Sequence, residues 1–593
     1  MENNIKYKWN LEDIYDSINN LEEDIVVCNK ILIAIEEYKG RLSESSNNLY
    51  DCYENLEKMY KILAKISGYA TLKYHQNMGE TSNLKLYKKI QNLQTDIQAR
   101  TSFILPEITE IDDSILEKFI SEDDKLKKYE RLIRKIMKDK KHILSHEAEY
   151  VISKYSDVLD SMDNIYTTLS NVDLAFSKVL DEDGNELELS HAKYGKYMAS
   201  KDKILRKNAF DSMYSEFEKY INTITEIYLN SVKKDAISSE LKNYNSSLEN
   251  AVYNDDSTKL VYDSLIETIN DNISINHKYM KLKKKLLNLD EIHLYDMYVN
   301  SLEVEENDIS YEESQNIIKK ALEPLGKEYL EVIDIAFKNR WIDVYESNNK
   351  RSGAYSMDVY GVHPFILSNY TNDNESVSTI AHELGHTMHS YYASNNQNYF
   401  YSAYTILVAE VASTVNEILL SEYLINSEPD NLKKAALINS QIDRIRATLI
   451  RQTMFAEFEK SVHQKVEDNI SLASEDLCDI YYDLNKKYFG DDVIIDEKIK
   501  YEWARIPHFY SSFYVYKYAT GISSAICIAN KILNDKGEYT KKYIDMLKAG
   551  GSKDSLDLLR SVDVDLETKD PVEDAIKYFE NKINELESIV NNL

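Results

Sequence analysis

Apolar residues recur at three- and four-residue spacing through most of the chain, as in LEKMYKILAKISGYATLKY, residues 56–74. That period places them on one face of a helix. The pattern predicts helices almost continuously from Leu21 to about Lys178, interrupted at Pro106, and again from about Asp202 to Leu287. Between these runs DEDGNELELS, Asp181–Ser190, carries the Asp-Gly turn signal and predicts a small hairpin or loop. The texture changes at RSGAYSMDVYGVHPFILSNYTNDN, Arg351–Asn374, where Gly353, Gly361 and Pro364 separate short pieces rich in Tyr, Val and Ile. Such pieces predict a small sheet. Helical spacing resumes at Ser376 and continues to a final amphipathic helix that opens at Pro571.

Composition agrees with a mainly α fold. Only 14 glycines and 6 prolines serve 593 residues, so there are few turns. The 47 tyrosines fit the general richness in Asn, Lys and Ile and mark no site by themselves. The net charge of −30 opposes nucleic acid or an anionic membrane as partner, because phosphates are repelled. No apolar run is long enough to span a bilayer, and the first residues, MENNIKYKWNLEDIYDS, have no apolar core of a secretory signal. Cys28, Cys52, Cys478 and Cys527 show no paired spacing. They predict reduced thiols and a cytoplasmic protein. Nothing in the sequence sets an oligomeric state.

The chemistry is concentrated in IAHELGHTMHSYY, residues 380–392. His382 and His386 stand four residues apart, so on a helix both imidazoles reach one ion. Glu383 lies beside them, where it can take a proton from water on a metal. His389 is seven residues from His382, about 10.5 Å of helix rise, too far for one straight helix to bring all three rings to an ion with bonds of about 2 Å. The third ligand therefore comes from another helix. Residues 387–409 hold no Asp or Glu, although 101 acids in 593 residues would place about four there. Glu410 ends the gap, inside the apolar run AYTILVAEVASTVNEILL. A carboxylate there needs a partner, and a divalent cation is one. We assign Glu410 as the third ligand and give Glu417, seven residues on, a supporting position. Two histidines and one glutamate leave a coordination position open, the pattern of a catalytic zinc site with one ion. Donors for a developing oxyanion are offered by RIPHFYSSFYVYKYATG, Arg505–Gly521, which holds His508 and, on one face if helical, Tyr510, Tyr514 and Tyr518.

These stretches, with VAEVASTVNEILL, IRQTMFAEFE, WARIPHFYSSFYVYKYATG, LKAGGS and the opening WNLEDIY, resemble the oligoendopeptidase F family, zinc peptidases related to thimet oligopeptidase. The resemblance spans nearly the whole chain and is sharpest from Gly353 to Gly551. It implies a two-lobed helical ellipsoid around a deep central channel, with a small β-sheet beside the helix of the two histidines. It implies an N-terminal helical lobe over residues 1–190 and a catalytic domain over 191–593, with the zinc site within 376–420 and the oxyanion segment within 505–521. His382, His386 and Glu410 would hold zinc, and Glu383 would be the general base. His508 and, among the tyrosines, Tyr514 would meet the oxyanion. An edge strand within Gly353–Tyr370 would pair with the backbone of short, unfolded peptides. The expected activity is cleavage of internal peptide bonds. A metallo-exopeptidase trimming termini is the alternative among enzymes, and a non-catalytic helical peptide-binding scaffold the alternative outside them. Glu383 argues against the scaffold, since a structural metal needs no base.

Overall fold

The computed structural model describes residues 5–302, 304–305, 308–535 and 537–593, without the side chain of His146. The fold is mainly α, with three small sheets among the described residues. The chain forms two compact units, each assembled from separated segments. The first comprises Met1–His146, Glu306–Tyr423 and Ile528–Asp563. The second comprises Glu147–Glu305, Leu424–Cys527 and Val564–Leu593. No helix among the described residues is long and apolar enough to cross a membrane. All four cysteines are free and buried.

The second unit contains the hairpin expected at the Asp-Gly signal, after its first helices, His146–Leu159 and Ser161–Thr168. Strand β1 (Val179–Leu180) pairs antiparallel with β2 (Glu186–Leu187), and Gly184 takes φ +80° in the turn. Strand β3 (Ile292–His293) later pairs in parallel with β7 (Val493–Ile494). The expected run from Asp202 resolves into helices Lys203–Lys219, Ile221–Leu241, Ser247–Asn254, Lys259–Asp271 and Ser274–Leu286. Glu502 is buried in this unit and accepts from Arg451 at 2.8 Å, Tyr481 at 2.6 Å and Tyr214 at 3.0 Å. Three donors from three elements compensate the burial of one carboxylate.

In the first unit the helical run breaks between Thr101 and Ile104, so that Pro106 falls in the first turn of the next helix, where its missing N–H costs no hydrogen bond. The expected sheet has three strands in the order β4–β6–β5. Strand β6 (Phe365–Leu367) is central and fully buried. Strand β4 (Ile342–Asp343) joins it in parallel from outside the stretch that signalled a sheet. Strand β5 (Tyr355–Met357) joins it antiparallel and forms one edge.

The opening WNLEDIY closes over this sheet. Trp9 is buried against Phe365, and its Nε1 donates to the Ile366 carbonyl at 2.7 Å. Asp343 is buried beside Lys350, whose Nζ lies 2.6 Å from it, and receives Gln76 Nε2 at 2.9 Å. Helix Ser46–Gln76 packs tightly on the sheet's connecting loop: a Cβ on Gly68 would meet Val359 at 2.7 Å. These contacts bind the central strand β6 and β4 to the N-terminal segment and helix Ser46–Gln76, and β5 lies beside the helix of the two histidines.

Candidate metal centre

Residues Asn374–Asn396 form one helix, the histidine helix, capped by Asp373, whose side chain accepts from the Ser376 N–H at 2.7 Å. Residues Ile406–Ser427 form a second, the Glu410 helix. Where the two cross, Gly385 faces Ala412 and Ser413, and a Cβ on Gly385 would stand 2.5 Å from the Ala412 carbonyl oxygen. Only glycine permits that approach. Asn416, fully buried, donates to the Ala381 carbonyl at 3.1 Å and accepts from Tyr329 at 3.0 Å, which locks the crossing.

The crossing brings three donors together. His382 Nε2 and His386 Nε2 are 3.1 Å apart, and Glu410 Oε2 lies 3.7 Å from the first and 3.9 Å from the second. Tetrahedral ligands with bonds of about 2.0 Å stand about 3.3 Å from one another. The observed separations lie within about 0.6 Å of that spacing, and the donor set of two imidazoles and one carboxylate suits zinc. Among the described residues this is the one group of three or more His, Cys, Asp or Glu side chains disposed to hold an ion.

The surroundings fit the same use. Glu417 Oε1 lies 3.3 Å from His382 Nδ1. A proton on Nδ1 then points at Glu417 and leaves the Nε2 lone pair facing the other donors. Burial lowers the His382 pKa, but the hydrogen bond to Glu417 and the charges of Glu417, Glu383 and Glu410 outweigh it and raise the value. Burial and the charge of His382 hold His386 down at about 4, so it is neutral and able to ligate. Glu383 is buried between this cluster and β5. Burial pushes its carboxyl up to about 7; Glu410 and Glu417 add to the rise, while His382 and the Ser356 backbone oppose it. A carboxylate poised near 7 suits proton transfer at neutral pH. Thr387 on the histidine helix meets Ser356 hydroxyl to hydroxyl at 2.8 Å, tying β5 to this helix.

His389 takes no part in the cluster. It is buried face to face on Tyr404 at 3.5 Å, and burial drops its pKa to about 3. The glycines of LKAGGS also have a packing reason. A Cβ on Gly551 would stand 2.1 Å from the Ala403 carbonyl oxygen, in the segment that leads into the Glu410 helix.

In the second unit the Arg505–Gly521 segment departs from the single helix that would align three tyrosines. It comprises a short 3-10 turn at Pro507–Tyr510, a kink at Phe513 with φ +57°, and a helix from Tyr516. Tyr510 is turned away and stacks on Tyr166 at 4.4 Å. His508, Tyr514 and Tyr518 cluster instead, with ring separations of 6.2 Å between His508 and Tyr514 and 5.5 Å between the two tyrosines. His508 is exposed, and the protein packed around it lowers its imidazole pKa. The Tyr514 ring carries Lys517 Nζ at 4.8 Å, and Lys517 pairs with Asp255 at 2.7 Å.

Sequence reasoning passed over Gly385, Asn416 and Ser356. Gly385 carried a visible signal, a glycine inside a helical pattern, whose close-packing meaning depends on a helix 28 residues later.

Comparison with known proteins identifies the family. A model of peptidase family M3 matches residues 196–578, well over half the chain, and a model described as Oligopeptidase F matches residues 107–176. Oligopeptidase PepF of Bacillus subtilis is 40% identical over 98% of this chain and 87% of its own length. Group B oligopeptidase PepB of Streptococcus agalactiae is 33% identical over 99% of this chain and 97% of its own. The crystal structure of oligoendopeptidase-F from Enterococcus faecium superposes with a TM-score of 0.74 at 31% identity, covering 97% of this chain and 99% of that one. A solved Chlamydophila abortus structure superposes with a TM-score of 0.94 at 32% identity, covering 99% of both chains. On this evidence the chain belongs to peptidase family M3, in its oligoendopeptidase F branch, and is a metalloendopeptidase.

Proposed function

We propose that this chain is a zinc-dependent endopeptidase that hydrolyses internal bonds of short, unfolded peptides in the cytoplasm. The observation that carries the reading is the convergence of His382, His386 and Glu410 at tetrahedral spacing with the buried Glu383 carboxyl alongside. Zinc bound by those three side chains would act as a Lewis acid on the scissile carbonyl and would acidify water. Glu383 accepts the proton of the attacking water and delivers it to the leaving amine. Glu417 keeps His382 in the ligating tautomer. His508 and Tyr514 donate hydrogen bonds to the developing oxyanion. The free edge of β5 pairs with peptide backbone, which tolerates many side chains.

Oligopeptides as substrates follow from the names of the relatives, an oligopeptidase and an oligoendopeptidase, applied to this chain. Four free, buried cysteines support a reducing compartment. The net charge of −30 disfavours nucleic acid as a partner.

The test is a mass-spectrometric map of cuts in a mixed peptide pool. Internal cuts that vanish with a chelator and return with zinc are expected. Products confined to single terminal residues would reject internal cleavage, and cuts that persist without metal would reject the metal site.

A further inference from the structure

Strand β5 lies along the histidine helix, and alternate residues of the strand face it. Ser356 meets Thr387, and Asp358, just past the strand, accepts a hydrogen bond from Ser394 Oγ at 2.6 Å. Ser394 is eight residues beyond His386, about 12 Å along the helix. An extended peptide covers that length in three to four residues.

The surroundings of Asp358 are unusual for a surface acid. The residue is exposed, yet the protein packed around it pushes its carboxyl up to about 6, against hydrogen bonds from Ser394 and the Val359 backbone. Tyr360, Tyr399 and Tyr404 all feel its charge. It makes no ion pair among the described residues. Lys61, whose Nζ lies over the Tyr360 ring at 5.4 Å, is held by Glu57 at 2.7 Å. A solvent-reachable carboxylate that makes no ion pair among the described residues is chemically complementary to a cation. Among the described residues the outer edge of β5 has no strand partner, and the Ser356 backbone hydrogen-bonds the Glu383 carboxyl. A peptide added along this edge would pass Asp358, with alternate side chains beside it.

We propose that Asp358 selects a cationic group, a lysine or arginine side chain or a free α-ammonium, on peptides held along β5, three to four residues from the bond that is cut. The proposal rests on the peptidase reading above. It adds a charge preference at one position to an otherwise tolerant, backbone-paired site.

The test uses internally quenched peptides that differ only by arginine, glutamine or glutamate at one position, scanned across both sides of the cut. A parallel set carries an acetylated N-terminus. The readout is the ratio of kcat/KM for the arginine and glutamine peptides within one enzyme preparation, which does not depend on the fraction folded. The wild type is expected to favour arginine roughly tenfold at one position three or four residues from the cut. In Asp358→Asn the ratio falls to near one, and in Asp358→Lys it turns toward glutamate. If acetylation alone removes the preference, the group recognised is the α-ammonium. A wild type without a cation preference, or a preference that survives in Asp358→Asn, overturns the proposal while leaving the peptidase reading intact. Failure to cut any peptide overturns that reading instead.

Discussion

A Cβ built on Gly385 would stand 2.4 Å from the Cα of Ser413. Ser413 lies three residues after Glu410 and donates its hydroxyl to the Glu410 carbonyl at 2.9 Å. Any side chain at position 385 therefore pushes the Glu410 carboxylate away from His382 and His386. Gly385→Ala is expected to weaken metal binding roughly ten- to a hundredfold, with helical content retained. Metal content after dialysis, read beside far-UV circular dichroism, checks this.

Glu410 and Glu417 stand on one helix but hold different places. Glu410→Ala removes a ligand and is expected to abolish stoichiometric metal. Glu417→Ala leaves three ligands and frees the His382 ring, so metal is retained with an affinity lowered roughly tenfold. A competition titration with a chromogenic chelator separates the two. Equal losses would place both carboxylates on the metal.

Within the second unit, Tyr514 clusters with His508 whereas Tyr510 is committed to Tyr166. Tyr514→Phe is expected to lower kcat about a hundredfold or more with KM little changed, the cost of one lost oxyanion donor. Tyr510→Phe keeps its ring stack and is expected to stay within about threefold of wild type. Steady-state kinetics on one quenched peptide measure both.

Glu57 supplies a pH-dependent contribution to stability in the first unit. Its side chain is buried and lies 2.7 Å from Lys61, Lys128 and the Tyr129 hydroxyl. Burial opposes its charge, but Lys128, Lys61 and Tyr129 outweigh this and hold the carboxyl down at about 2, from an ordinary 4.5. A depressed folded-state value stabilises above the unfolded one and is lost as pH falls from 4.5 toward 2. The difference corresponds to about 3 kcal/mol. Glu57→Gln should lower the thermal midpoint at pH 7, and the gap to wild type should narrow below about pH 4.5.

The helical fold and the grouping of His382, His386 and Glu410 were legible because they depend on short-range spacing. The i, i+4 pair fixes two imidazoles on one face, and the run without acids before Glu410 singles out a carboxylate that its apolar helix cannot hold unpaired. What escaped depends on partners distant in the chain. The kink at Phe513 breaks the face that would have aligned Tyr510 with Tyr514, and nothing in YSSFYVY announces a left-handed phenylalanine. Strand β4 is two residues long, too short for alternation to show. Asp358 reads as one acid among 101 until the strand beside it and Ser394 across from it are seen together.

In the proposed mechanism Glu383 moves the proton while His382, His386 and Glu410 hold the metal. Glu383→Gln separates these roles, because the amide preserves shape and cannot accept that proton. The measurement is turnover of a quenched peptide by a variant whose metal content has been determined on the same sample. Wild-type zinc content, retained peptide binding and a loss of nearly all turnover are expected. Turnover near the wild-type rate with zinc in place would remove Glu383 from the proton transfer.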